Sequence, residues 1–316
     1  MIEVRNLVKH YGDVKAVQDI SFSVKNGEIL GFLGPNGAGK TTTLKVITGY
    51  LSPTSGNVFV DDYNVIEDSM EIRKMIGYLP EMNPLYHDME VYGFLEFVAR
   101  AREIDKNQFK SRLHDVIELC GLKGVVHKNI NELSKGYCQR VGLAQAIIHD
   151  PKILILDEPT SGLDPNQIAE IRGLIKNLGK EKTVVISSHI LQEIQATADR
   201  MIIINEGEIV ANGTIDELMS DFKGKTRLTL ELKNATEDSV KKVQSFQDGI
   251  LLSKYEEKDE NVFAVLEYPN SVDPRQDIFK YAVKNKWVVL EMSRHKTSLE
   301  DVFRNLTIEG GTNNAK

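Results

Sequence analysis

The chain has 316 residues, which suggests about two domains at roughly 100–200 residues each. Its formal net charge of −7 argues against a general polyanion binder, since non-specific nucleic-acid affinity needs a basic face. Two cysteines, Cys120 and Cys138, are too few for a disulfide framework or a four-ligand zinc site, so a reduced intracellular protein is expected.

Residues 1–220 alternate short β-branched runs with longer helical patterns. Strands are expected at Ile2–Val8, Ile20–Val24, Glu28–Leu33, Ile76–Leu79, Ile153–Leu156, Thr183–Ser187 and Arg200–Asn205. Several of these runs are continuously apolar, as strands covered on both faces are. Helical periods follow Lys40, surround Tyr92–Ala101 and Gln108–Cys120, and run through Tyr137–Ile148 and Asn166–Leu178. Strands joined by crossover helices predict an α/β sheet with much parallel pairing. From about residue 85 to residue 148 no strand pattern appears, and the stretch reads as an all-helical insertion.

The character changes after Asp221-Phe222-Lys223-Gly224-Lys225. The expected order becomes strand Arg227–Leu232, helix Glu237–Phe246, and strands Gly249–Tyr255 and Val262–Tyr268. Helix Asp273–Lys284, strand Trp287–Met292 and short helix Ser298–Leu306 complete it. This β-α-β-β-α-β order fits a small ferredoxin-like α+β domain at 226–306, with 307–316 as a tail. The acidic cluster Glu256-Glu257-Lys258-Asp259-Glu260 reads as a solvated hairpin turn. No signal peptide is expected from Met1-Ile2-Glu3-Val4-Arg5, and no apolar run approaches the ~18–20 residues of a membrane span. If the protein works at a membrane, another chain must span it.

Gly34-Pro35-Asn36-Gly37-Ala38-Gly39-Lys40-Thr41 fits G-x-x-x-x-G-K-[ST] between an apolar strand and a helical pattern. The glycines let successive N–H groups curl around a phosphate, and the helix N-terminus adds a favourable dipole. Lys40 would reach the β- and γ-phosphates of a nucleotide, and the Thr41 hydroxyl would ligate Mg²⁺. Thr42, next in line, is included among the nucleotide-binding candidates. The buried strand ending in Asp157-Glu158 supplies two acids. Asp157 would hold the metal through its water shell, and Glu158 would orient and polarise the attacking water.

Leu133-Ser134-Lys135-Gly136-Tyr137-Cys138-Gln139-Arg140, just before the acidic strand, resembles the signature segment of ABC-transporter ATPases. It departs from the commonest L-S-G-G-Q form at Lys135 and Tyr137. Ser161-Gly162-Leu163-Asp164 is similar to the family's D-loop, His189 to its switch histidine, and Tyr11 to its adenine-stacking aromatic. Within the family, Ile76-Gly77-Tyr78-Leu79-Pro80-Glu81 and Ser298-Leu299-Glu300-Asp301-Val302-Phe303 resemble the ABC-2-type export ATPases, nearest the gliding-motility-associated subunits.

The resemblance implies a P-loop ATPase with a helical insertion that docks a separate membrane-spanning permease. It also implies a head-to-tail dimer, of two copies or of paired ATPase subunits, with two ATP molecules at the interface. Ser134 and the Gly136 backbone would contact the γ-phosphate held by the opposite subunit. Glu81 stands where many members carry glutamine; a carboxylate there can hold a metal-bound water but adds negative charge beside the phosphates. The implied place is the cytoplasmic face of the cell membrane, with no nucleic-acid partner. The rival reading is a soluble ABC ATPase acting on nucleic acid or translation machinery. Such proteins commonly carry two cassettes or a long coiled-coil insertion, and neither is seen.

Overall fold

The computed structural model describes residues 1–221, 226–258, 260–269, 272–295, 299–304 and 306–307. The chain forms two compact units, Met1–Ile215 and Asp216–Lys316.

The first unit opens with the antiparallel strands β1 (Ile2–Tyr11) and β2 (Val14–Val24). β3 (Ile29–Leu33) then leads through a glycine-rich loop into α1 (Lys40–Ile47). β4 (Ser55–Val60), β5 (Tyr63–Asn64), α2 (Ser69–Met75) and β6 (Ile76–Leu79) follow. The helical insertion comes next as α3 (Val91–Ala101), α4 (Lys106–Cys120), a 3-10 turn and α5 (Lys135–Ile147). The chain re-enters the sheet at β7 (Ile153–Asp157) and continues through α6 (Pro165–Gly179), β8 (Thr183–Ser188) and α7 (Leu191–Thr197). β9 (Arg200–Asn205) and β10 (Glu208–Gly213) complete the first unit, and α8 (Ile215–Asp221) starts at the boundary, with all but its first residue in the second unit.

Two sheets result, a four-stranded one in order β2-β1-β4-β5 and a six-stranded one in order β10-β9-β3-β8-β7-β6. In the second, β9, β3, β8, β7 and β6 are parallel, and only β10 runs antiparallel to its neighbour. Every residue of β3, β7 and β8 is buried, which accounts for the apolar runs Ile153–Leu156 in β7 and Val184–Ile186 in β8. Gly31 lets α7 lie directly on β3, because a Cβ there would come within 2.2 Å of Ile194. The α6 start is fixed by Asp164, whose side chain accepts from the Asn166 and Gln167 amides at 3.0 Å, with Pro165 at the first helical position.

β4, β5 and β10 were not among the expected strands. β4 and β10 have largely uncovered faces, and β5 has only two residues, so none shows a sustained apolar run. Helices α2 and α7, of seven residues each, are too short to show a clear 3.6-residue period.

The second unit contains β11 (Thr226–Lys233), α9 (Glu237–Lys241), β12 (Leu251–Lys258) and β13 (Asn261–Tyr268). α10 (Arg275–Lys284), β14 (Val288–His295) and α11 (Leu299–Arg304) complete it. Its sheet has the order β12-β13-β11-β14 and is antiparallel throughout. In the unit's own numbering this is 2-3-1-4, the arrangement of a ferredoxin-like sandwich. Leu228, Leu230, Leu232 and Leu266 pack with Val240 and Ile278 of the helices. The helix expected over Glu237–Phe246 is shorter, passing into a 3-10 turn at Lys242–Ser245. Residues 222–225 of the expected linker, Asp259 of the acidic turn, Ser298 of the carboxy-terminal motif and the tail from residue 308 lie outside the described residues. Among the described residues no helix is long and apolar enough to cross a membrane.

Candidate nucleotide site

The loop Gly34-Pro35-Asn36-Gly37-Ala38-Gly39 connects the C-terminal end of β3 to α1, as its motif requires. Gly37 and Gly39 have φ of +81° and +105°, left of what side-chain-bearing residues readily adopt. Gly39 is doubly required, since a Cβ there would approach the Ala16 carbonyl oxygen to 2.5 Å. A backbone curled in this way can present successive N–H groups to a phosphate; in this structure the Ala38 amide donates to the Pro35 carbonyl at 3.2 Å.

Lys40 is only 6% exposed and folds back over the loop. Its Nζ donates to the Gly34 carbonyl at 2.8 Å and to the Pro35 carbonyl at 3.2 Å. It also lies 3.3 Å from Glu158 Oε1, an ion pair without hydrogen-bond geometry. Gly37, Lys40, Thr41, Thr42, Glu81 and Glu158 line a cavity of about 300 Å³ at this point. The acidic strand end and the phosphate loop, far apart in sequence, therefore share one space. Glu81 lines it as well.

Asp157 and Glu158 are held by Ser187 from the neighbouring strand β8. The Ser187 hydroxyl donates to Asp157 Oδ1 at 2.6 Å and accepts from the Glu158 amide at 2.9 Å. Burial pushes the Asp157 carboxyl above its usual range; the Ser187 and Thr41 hydroxyls pull it back, and the Glu158 charge adds to the rise. Asp157 Oδ2 is buried and has no hydrogen-bond partner among the described residues. That oxygen and the Thr41 hydroxyl at the cavity wall are oxygen donors suited to a hard divalent cation. Among the described residues no group of three His, Cys, Asp or Glu could hold a metal. One buried carboxylate beside a loop hydroxyl is a donor pattern that fits Mg²⁺, which typically takes one or two protein carboxylates and completes its shell with phosphates and water.

Glu158 sits at φ +48°, and the Ser161 amide donates to its carbonyl at 3.1 Å. His189, at the end of β8, places Nδ1 2.9 Å from Glu158 Oε2. The histidine side chain is 41% exposed while the carboxylate it meets is buried. The result is a carboxylate flanked by a lysine and an imidazole at the mouth of a phosphate loop. Such a group can orient a water for in-line attack on a terminal phosphate.

Tyr11, Ser134 and Gly136 lie outside the cavity lining, as do Gly34, Pro35, Ala38, Asp157 and His189. Tyr11 is 46% exposed at the tip of the β1–β2 hairpin, with Lys9 Nζ 5.3 Å above its ring, and that hairpin contributes Ala16 instead. Ser134 caps α5, accepting from the Tyr137 amide at 3.4 Å, and Gly136 lies in the first turn. Lys135 packs over the D-loop, because a Cβ at Gly162 would meet its Nζ at 1.9 Å. A Cβ at Gly136 would strike Gln167 at 2.6 Å, so the signature segment rests on the start of α6.

Ser187 and Asn83 were not singled out from the sequence. The signal for Ser187 was a serine pair closing a continuously apolar strand. Asn83 lies in the loop after Glu81, and its Nδ2 donates to the Cys138 carbonyl at 2.9 Å, tying that loop to α5. Nothing local marks it.

A family model described as "ABC transporter" matches residues 17–161. The chain is 36% identical over 314 residues to the bacitracin transport ATP-binding protein BcrA of Bacillus licheniformis, covering 99% of this chain and 98% of that protein. It is 34% identical to the linearmycin resistance ATP-binding protein LnrL of Bacillus subtilis, covering 78% of this chain and 79% of that one. Among solved structures, the dimeric bacterial ABC transporter cassette MJ0796 superposes with a TM-score of 0.63 at 26% identity. That match covers 68% of this chain and 99% of the cassette.

Proposed function

The chain belongs to the ABC transporter ATP-binding family, and we propose that it powers an ABC-2-type exporter. It is an ATPase, with an α/β phosphate-loop fold and ATP as its nucleotide. The observation that carries the catalytic reading is the convergence of Lys40, Asp157, Glu158 and His189 on one phosphate loop.

Mg²⁺, when bound with ATP, would neutralise developing charge on the β- and γ-phosphates. Thr41 and Asp157 would hold it, Asp157 through water, with Glu81 beside the site. Lys40 and the loop amides would bind the phosphates. Glu158 would accept the proton of the attacking water, and His189 would keep the carboxylate turned toward it. The exposed ring of Tyr11 would stack on the adenine.

Ser134 and Gly136 would act across a head-to-tail dimer. The α5 N-terminus is a favourable place for an anion, and a nucleotide there would complete the interface. The export assignment is supported by the names of the bacitracin transport and linearmycin resistance relatives. The likeness to gliding-motility-associated subunits rests on the sequence segments alone and is part of this proposal.

The helical insertion would dock a separate transmembrane partner on the cytoplasmic face of the membrane. Met82, Tyr86 and Phe97 are exposed at its beginning, with Tyr86 edge-on to Phe97 at 5.6 Å. We assign residues 1–220 to the ATPase domain and 226–306 to an accessory domain. Affinity purification of the full chain from detergent-solubilised membranes tests this reading. A polytopic membrane protein is expected as the stoichiometric partner; recovery with ribosomes or nucleic acid instead would overturn it.

A further inference from the structure

Glu193 is a buried carboxylate on the first turn of α7 that the hydrolytic machinery above does not use. It is 6% exposed, and its Oε2 accepts two hydroxyls, from Thr160 at 2.6 Å and from Ser188 at 2.9 Å. Both donors are themselves buried. Thr160 stands two residues after Glu158, and its carbonyl accepts from the Leu163 amide at 3.2 Å within the D-loop turn. Ser188 immediately precedes His189, and its Oγ also accepts from the Ile190 amide at 3.0 Å. The Ser188 side chain therefore brackets His189 from both sides in sequence.

One carboxylate oxygen thus fastens the turn that follows Glu158 to the strand end that carries His189. Both of those residues need outside support. Glu158 holds a left-handed backbone that only a constraining environment maintains. His189 has a side chain that is 41% exposed, so burial contributes only part of its positioning. We propose that Glu193 is a positioning residue for hydrolysis, keeping the Thr160 turn and His189 in register so that Nδ1 meets the Glu158 carboxylate. The proposal rests on Glu158 and His189 acting as assigned above.

The test compares Glu193→Ala, Glu193→Gln, Thr160→Val and Ser188→Ala in the full chain, measuring kcat and KM for Mg-ATP, nucleotide affinity and Tm. Misplacing reacting groups by about 1 Å can cost on the order of 100-fold in rate. Glu193→Ala is therefore expected to lower kcat by about 10- to 100-fold, with KM and nucleotide affinity within about twofold of wild type. Glu193→Gln keeps an acceptor oxygen and should recover kcat to within about threefold of wild type. Glu193→Ala/Thr160→Val should be no slower than Glu193→Ala alone, because both remove one linkage. If Glu193→Ala does not fold, Thr160→Val and Ser188→Ala decide, each lowering kcat at unchanged KM.

Wild-type kcat in Glu193→Ala, or in both hydroxyl variants, would overturn the proposal while leaving the hydrolytic reading in place. So would a parallel fall of kcat, nucleotide affinity and Tm, or no recovery in Glu193→Gln. A wild-type chain that releases no phosphate would overturn the hydrolytic reading itself, and this proposal with it.

Discussion

Lys40 Nζ and Glu158 Oε1 lie 3.3 Å apart, with both side chains almost wholly buried. The cation assigned to the phosphates and the carboxylate assigned to the attacking water are therefore mutual counter-ions as well as neighbours in the site. Removing one partner of a buried pair leaves the other charge uncompensated, typically at a cost of about 3–5 kcal/mol.

Lys40→Ala is expected to abolish ATP binding and to lower stability by about 3 kcal/mol or more. Adding Glu158→Gln should restore part of that stability without restoring binding. Urea denaturation and calorimetric titration of the two variants check both halves. Equal stability of the single and double variants would show that the pair is not energetically coupled.

His149 gives the fold an acid sensitivity of its own. Burial, aided by the nearby Arg102 charge, holds its pKa down to about 4 from an ordinary 6.5. Nε2 lies 3.2 Å from the Ile76 carbonyl, so it is the donor, and the buried Nδ1 has no partner. Between pH 6.5 and 4 the unfolded chain binds the extra proton, so stability falls as pH falls through that window and levels off below it. From pH 7.5 to pH 5 the loss from this group is about 2 kcal/mol. Urea midpoints should show that extra loss in wild type and not in His149→Gln; identical losses would contradict it.

The sharing of sites between subunits can be tested by complementation. Lys40→Ala should inactivate the site on its own subunit, and Ser134→Arg the contact made to the other. In equal mixture about half the dimers are mixed, so about one quarter of all sites carry an intact loop and an intact signature. Phosphate release is expected to reappear on mixing two inactive variants. Full activity of Ser134→Arg alone would show that the signature does not act across an interface.

Removing residues 226–316 is expected to leave nucleotide affinity within about twofold, since every residue at the phosphate cavity precedes that segment and compact units tend to fold independently. Loss of affinity in a truncated chain with intact circular dichroism would contradict this division.

The phosphate loop and the Asp157–Glu158 strand end were legible because their chemistry is written in consecutive residues. β3 and β7 were legible because burial on both faces leaves unbroken apolar runs. β4 and β10 were not, since their exposed faces tolerate Ser55, Asn57, Glu208 and Asn212. The links that organise the site were hidden for a different reason. Ser187 reaches Asp157 across two strands, Asn83 reaches Cys138 across 55 positions, and Lys135 meets Gly162 only after α5 and α6 are packed. These depend on tertiary approach and leave no local pattern. Tyr11 shows the converse: its place in the sequence matches an adenine-stacking residue, yet it lies outside the cavity lining.

The central claim is that Glu158 activates water for ATP hydrolysis at the Lys40 loop. Phosphate release by Glu158→Gln, measured beside nucleotide binding and size-exclusion chromatography, tests it most directly. The amide keeps the shape of the side chain but cannot accept the proton, so turnover should fall by about 100-fold or more. ATP should remain bound, and a stable ATP-loaded dimer should accumulate. Phosphate release at the wild-type rate would contradict the assignment.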